Sequence, residues 1–571
     1  MRAAIDFPDA DRQRLRREFS APGSTWIATE PGQVAEILCA AEAAARAGQW
    51  VVGFVAYEAA AAFDAALPTL AADPRLPLAA FAAYDAPDTA TAPSDDFRCG
   101  AWTMDTGRAD FDAGIASIHR DITAGRHYQV NYTTGLEAPF HGHPRAFFDA
   151  LRRAQPDGFC AFLDGGDWQL ASVSPELFFD WTPDGRLTTR PMKGTATRGH
   201  DDAEDQQRAD ELRRSEKEQA ENLMIVDLLR NDLSRVAQLG SVSVPRLFNL
   251  EALPTAWQMT STVVCDTRPE VNLAQVFTAL FPCGSVTGAP KRSAMTAITE
   301  LEATPRGAYC GAIGVIRPGG HATFNVAIRT VSIARGRARC GIGSGITIDA
   351  SAEGEWAEWL VKRRFLLRAS ADFDLIETLR LEDGKYWLLE RHLARLGASA
   401  DHFGFPWREE TVRASLAAAM KGREAGVWRM RLLLDRQGNC RVEGFALTPD
   451  TEPVIVALAT LPGDSGDEFL RHKTTRRQAY EERTLPDVFD TLLWNEQGEL
   501  TEFTRGNLVL ELDGQRLTPA LGCGLLPGTL RAELLASGEI AEAVLRKADL
   551  ARASHIWFIN SLRGWLAAKL I

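Results

Sequence analysis

The stretch "RPMKGTATRG", residues 190–199, sets one lysine, Lys193, between a proline–methionine step and a glycine–threonine turn. A long flexible cation gains little in so tight a turn unless its amine has chemistry to do; the bland reading is a solvated surface lysine. Two other segments pair acids at a fixed interval, Glu218 and Glu221 in "EKEQAEN" and Glu355 and Glu358 in "EGEWAEW". Residues three apart share a helix face, so each segment would present two carboxylates side by side. Four carboxylates from two facing helices suit a hard cation such as Mg²⁺. Either pair alone reads equally well as a solvated helix face, and Lys362, four residues past Glu358, as an ordinary helix ion pair. Spacing does not separate these readings.

The elements that must position these groups follow from periodicity. Helical patterning covers 34–47 and the run from 105 to Gly125, and "WVVGFVAYE" reads as a strand. Short β-rich runs lead to "RLTTRPMKG", followed by a long helix at 213–237 that carries the first acid pair. A glycine-rich passage, "FPCGSVTGAPKRSAMTAITELE", precedes two strands, "TFNVAIRTVSIARG" and "RARCGIGSGITID", and a helix carrying the second pair. From Phe373 the pattern becomes strand, Asp-Gly turn, strand, helix, which places a domain boundary near residue 370.

Bulk properties narrow the function. A chain of 571 residues exceeds one domain, and 45% apolar with 24% charged residues is ordinary for a globular protein. A net charge of −13 argues against nucleic-acid binding. The nine cysteines are scattered without a CxxC pair, the usage of reduced cytoplasmic thiols. The longest apolar stretch, "VVGFVAYEAAAAF", is too short to span a bilayer, and the first residues have no signal-peptide core. A cytoplasmic chain that binds neither nucleic acid nor membrane is expected.

The segments "GRHYQVNY", "SPELFF", "PMKGT", "EKEQAENLMIVDLLRNDL", "GSVTGAPK", "RGAYCGAIG", "FNVAIRT" and "GSGITID…EGEWAEWLVK" stand in the order found in the chorismate-utilising enzymes. Residues 50–365 resemble that family. The resemblance implies Mg²⁺ bound directly by Glu221 and Glu358 with support from Glu218 and Glu355. It implies a substrate site of Arg329, Tyr309, Lys362, Gln129 and Gly345. Members that activate water carry a lysine where this chain has Gln129, and anthranilate-forming members carry an alanine at the position of Lys193. Aminodeoxychorismate-forming members resemble "PIKGT", as does "PMKGT" here. That likeness implies Lys193 as a nucleophile at C2 of chorismate and Glu176 as general acid. One departure is Gln258 in "AWQMTS", where many relatives have histidine; another is the lack of a tryptophan-binding N-terminal motif.

A second ordered set, "ERHLARL", "RHKTTRRQAY", "NEQGELTEFTRGNL", "GLLPGTLRAELL" and "FINSLRG", resembles the class IV pyridoxal-phosphate enzymes. By that resemblance Lys473 holds pyridoxal 5'-phosphate and serves as acid–base group, and Glu502 faces the pyridine nitrogen. Arg395, Gly528 and Thr529 hold the phosphate, and Asn507 and Asn560 orient the cofactor. This group starts closer to the preceding helix than its relatives do.

Together the resemblances imply an α+β architecture. Residues 1–370 form a β-sheet sandwich with surrounding helices, and residues 371–571 a two-subdomain α/β fold. The expected function is 4-aminobenzoate synthesis for folate: amination of chorismate at C4, then pyridoxal-phosphate-dependent loss of pyruvate. No glutaminase segment is visible, so ammonia would come from solution or from a separate glutamine amidotransferase. A homodimer through the second domain is compatible. The rival readings are an anthranilate synthase-like aminase joined to a class IV aminotransferase, and a regulatory protein with one decayed half.

Overall fold

The computed structural model describes residues 1–8, 13–88, 97–197, 202–252, 256–370, 372–461 and 468–571. It divides into two compact units, Met1–Ser370 and Ala371–Ile571.

The first unit holds two ten-stranded sheets. One contains Gln129–Gly142, Arg337–Ile346, Thr330–Ala334, Trp168–Ser174, Phe159–Asp164 and Arg2–Pro8; the other contains Met192–Thr197, Ala256–Asp266, Arg186–Arg190, Leu177–Trp181, Ala322–Val326, Ala312–Ile316 and Trp50–Val55. Strand alternation sorts their side chains into layers. Ala3, Ile5 and Phe7 of the first sheet meet Val52, Phe54, Ile313 and Val315 of the second in a shared core. The alternate residues Val51 and Val55 turn the other way, onto helix residues Val34, Leu38, Ile225 and Phe277. On the far side of the first sheet, Val130, Tyr132 and Phe162 pack against Phe111, Phe147 and Trp359. The unit is therefore a sheet sandwich with a helical layer on each outer face, as the sequence leads one to expect.

The acid-bearing region at 213–237 is two helices rather than one, Asp202–Arg214 and Glu216–Ser234. Ser215 starts the second: its hydroxyl accepts the Glu218 N–H at 3.3 Å and satisfies one orphan donor of the first turn. The second acid pair lies on Ala352–Lys362, capped in the same way by Ser351. Among the described residues no helix is long and apolar enough to cross a membrane.

The second unit has two sheets with separate cores. Leu375–Glu382, Lys385–Tyr386, Val427–Leu434 and Cys440–Ala446 form an antiparallel four-stranded sheet under the helices Leu389–Phe403 and Glu409–Met420. Its first hairpin turns at Asp383 and Gly384, both with positive φ, the geometry that an Asp-Gly pair is suited to. An eight-stranded sheet runs from Leu500–Phe503 through Val454–Thr460 and Asn507–Leu512 to Ala541–Ala543 around its own core.

Candidate active sites

In the first unit the chemistry collects where the two sheets approach each other. Gly345 pairs in register with Asn131, one residue beyond Val130 and Ile346. A Cβ at Gly345 would lie 2.3 Å from Gln129 Nε2 and 2.5 Å from Lys193 Nζ. Glycine is required here by close approach: the amine from one sheet and the amide from the other fill the space a side chain would take. Gln129 is fully buried, and neither polar atom of its amide has a hydrogen-bond partner. An unpaired buried amide costs about 1–3 kcal/mol, so it suits a polar ligand that can satisfy it. The lysine turn is braced from behind: Asn222 Nδ2 donates to Lys193 O at 3.3 Å and Gln258 Nε2 to Gly194 O at 2.8 Å. Gln258, the departure from histidine, thus serves the turn through its amide.

Glu176 is buried, and burial pushes its carboxyl up to about 7, against the Ser285 hydrogen bond and the Lys193 and Lys362 charges. At neutral pH it is divided between acid and carboxylate. Arg329 sits with φ 49° at the end of Ala322–Val326, and burial alone draws its guanidinium down to about 10. Among the described residues no carboxylate pairs with it, which leaves a planar cation free for an anion. Tyr309 is buried with its ring against Gly341, and burial holds its hydroxyl well above the usual range. Lys362 is engaged, donating to Gly343 O at 2.7 Å and pairing with Glu358 at 2.6 Å.

The four glutamates are coupled electrostatically. Burial raises Glu218, and the charges of Glu221 and Glu358 raise it further. Burial also raises Glu355, aided by Glu358, and its Oε2 is buried without a partner. For Glu358 the Lys362 and Lys193 charges outweigh burial, so it is lowered. Crowded carboxylates with an orphaned oxygen fit a hard cation in their chemistry. Among the described residues, however, no three acidic, histidine or cysteine side chains already converge on one point.

The second unit encloses a cavity of ≈ 380 Å³ whose lining includes Lys473, Arg395, Glu502, Asn507, Gly528 and Thr529. Burial, with Arg477 and Arg395, draws the Lys473 amine down to about 7. Burial pushes Glu502 up to about 7; Tyr480 donates to it at 2.7 Å and the Leu526 N–H at 3.1 Å. Asn507 bridges Glu502 (3.4 Å) and Leu526 O (2.9 Å), and a Cβ on Gly528 would overlap its Oδ1 at 1.9 Å. Gly528 caps the helix Thr529–Ala536, whose free N–H groups suit a phosphate. Asn560 stands at the cavity but spends its side chain on a turn, accepting from the Leu562 and Arg563 N–H groups and donating to Arg505 O.

Glu377 and His392, which the sequence reading does not name, complete this site. Arg395 does not stand free: it forks onto Glu377 at 2.8 and 2.6 Å and donates to Pro527 O at 3.1 Å. Two of its five N–H donors remain for a ligand. His392 binds Glu377 through Nδ1 at 2.6 Å and meets Thr529 Oγ1 at 3.3 Å. Arg395 and His392 together hold Glu377 well below the usual carboxylate range despite its burial. The sequence carries a signal for it: Glu377 is the lone charge on the buried phase of Leu375, Leu379 and Leu381. Ser285, on Glu176, lies in the quoted "GSVTGAPK" without anything in the spacing to single it out.

Each unit thus sets a lysine near a buried acid of raised pKa, an arrangement suited to acid–base chemistry. The chain is a member of the chorismate binding enzyme family, whose pattern matches residues 11–368; residues 374–571 match the amino-transferase class IV pattern, which implies pyridoxal phosphate. Aminodeoxychorismate synthase component 1 of Salmonella typhimurium is 39% identical over 258 residues, 45% of this chain and 57% of its own length. The Escherichia coli K12 protein of that name is 36% identical over 277 residues, 48% of this chain and 61% of its own. The chain thus spans little more than half of these relatives. Among solved structures, anthranilate synthase component I from Streptococcus pneumoniae, at 24% identity, shares the fold with a TM-score of 0.52, covering 64% of this chain and 89% of its own.

Two outcomes are expected. Gly345→Ala leaves the backbone intact but displaces the Lys193 amine, so turnover of chorismate falls about 10²-fold, the cost of a 1 Å misplacement; unchanged steady-state rates contradict this geometry. The neutral fraction of Lys473 grows as pH rises and levels off just above its pKa of about 7. Capture of pyridoxal phosphate by the cofactor-free protein, followed by absorbance, therefore accelerates up to neutrality and then plateaus. A rate that keeps climbing to the ordinary lysine pKa near 10 contradicts it.

Proposed function

We propose that this chain makes 4-aminobenzoate from chorismate in two steps, one in each unit. The observation that carries the reading is the Lys193 amine held beside the unpaired Gln129 amide over Gly345. In the first step Arg329, with Tyr309, takes a substrate carboxylate. Glu221 and Glu358, backed by Glu218 and Glu355, would hold Mg²⁺, which would offset carboxylate charge on the substrate. The Lys193 amine adds at C2 while the double bonds shift and the 4-hydroxyl departs. The Glu176 carboxyl gives its proton to that leaving oxygen, so water is released. Ammonia then enters at C4, the electrons shift back, and Lys193 leaves as a free amine. Splitting one hard displacement into two is the benefit of a covalent nucleophile. The ammonia would come from a separate glutamine amidotransferase.

In the second step the amine product, 4-amino-4-deoxychorismate, enters the cavity of the second unit. Pyridoxal phosphate, when bound, supplies an electron sink. Lys473 would remove the C4 proton and return a proton as pyruvate leaves, its pKa near 7 suiting both directions. Glu502, held by Tyr480 and Asn507, would keep the cofactor's pyridine nitrogen protonated. Gly528 and Thr529 would hold the phosphate at the helix start, with Arg395.

The two lysines separate the steps. Lys473→Ala is expected to convert chorismate and ammonium to 4-amino-4-deoxychorismate, which accumulates, with no pyruvate released. Lys193→Ala is expected to lose the amination yet still turn supplied 4-amino-4-deoxychorismate into 4-aminobenzoate. Product chromatography with a pyruvate assay reads both. Undiminished 4-aminobenzoate from the Lys473 variant, or pyruvate release that requires an added keto acid, contradicts the assignment.

A further inference from the structure

We propose that Ser285 is a positioning residue for the amination, orienting the Glu176 carboxyl and fixing which of its oxygens carries the transferable proton. The inference rests on the reading of Glu176 as the acid that protonates the departing hydroxyl. Ser285 Oγ donates to Glu176 Oε1 at 2.7 Å, and Cys283 Sγ lies 3.2 Å from the same Oγ. All three side chains are buried. The hydroxyl has one hydrogen to give, and burial pushes the Cys283 thiol up to about 12, so the sulfur keeps its own. A single order follows: S–H to Oγ, then O–H to Oε1. An oxygen that already accepts a hydrogen bond is the less basic of the pair. The acidic proton is therefore left to Oε2.

The serine is itself held rigidly. It sits in the short turn Gly284–Val286, where Arg306 Nη1 donates to Val286 O at 2.7 Å and Thr287 Oγ1 to Cys283 O at 3.1 Å. Arg306 is anchored by a buried ion pair with Glu302 at 2.6 Å. The turn thus holds the acid through Ser285. The charged and titratable groups facing it are Lys193 and Lys362, which favour its ionised form, and the Cys283 and Cys310 thiols, both held protonated.

Loss of the serine donor destabilises the carboxylate, so the Glu176 pKa rises and the acid is spent at higher pH. The test measures kcat and KM for chorismate with ammonium across the pH range for wild type, Ser285→Ala, Ser285→Cys and Glu176→Gln, with near-UV circular dichroism as a check on folding. Ser285→Ala is expected to lower kcat roughly 10- to 100-fold, part of a general acid's usual contribution, with little change in KM. Its alkaline limb should move to higher pH, and Ser285→Cys, a weak donor of similar size, should lie between. A merely structural serine moves KM and the unfolding midpoint but leaves the limb in place; that result overturns the proposal. Should the alanine variant fail to fold, the cysteine variant decides by its limb alone. Full activity in Glu176→Gln removes the acid itself and Ser285's role with it. An inactive Glu176→Gln beside a wild-type pH profile in the serine variants removes only the role of Ser285.

Discussion

The first site depends on one close approach. At position 345 a hydrogen atom stands where every other residue would place a carbon, and Lys193 and Gln129 use that space. The two side chains come from different sheets, so their meeting is set by how the sandwich packs rather than by either strand alone. The alternating layers of Val51 to Val55 and Ala3 to Phe7 fix that packing, because slipping either strand by one residue would send its apolar side chains to the wrong face. The reach of one amine is thus tied to the register of the whole unit.

Burial then does the same work in both units. Glu176 and Glu502 are carried up to about 7 and Lys473 down to about 7, in each case chiefly because the charged form has lost water. Groups poised there can exchange protons at neutral pH in either direction. Each is kept from drifting further by named partners: Ser285 and two lysines for Glu176, Tyr480 and the Leu526 N–H for Glu502, and Glu377 and Glu502 for Lys473. Glu377 shows the opposite balance, since an arginine and a histidine outweigh its burial and keep it ionised. The same desolvation yields a proton donor in one place and a fixed anion in another, according to the cations beside it.

Much of this was legible in the chain. Alternating runs marked the strands, and Asp383–Gly384 marked the hairpin that opens the second unit. The acid pairs announced two helices, although Ser215 divides the region that reads as one. The ordered motifs pointed to both families. What spacing could not convey were contacts between distant segments. Ser285 lies 109 residues from Glu176 and Gln258 64 from Gly194, and the Arg395–Glu377–His392 cluster joins a strand to a helix. Only a lone acid on a buried strand face hinted at the last.

The central claim is that the Lys193 amine itself attacks the substrate, and mass spectrometry of the protein tests it most directly. When the enzyme is held with chorismate and Mg²⁺ but without ammonia, an adduct of chorismate less one water is expected, mapped by peptide digestion to Lys193 and discharged on adding ammonium. A protein that stays unmodified under those conditions while retaining full amination activity contradicts it.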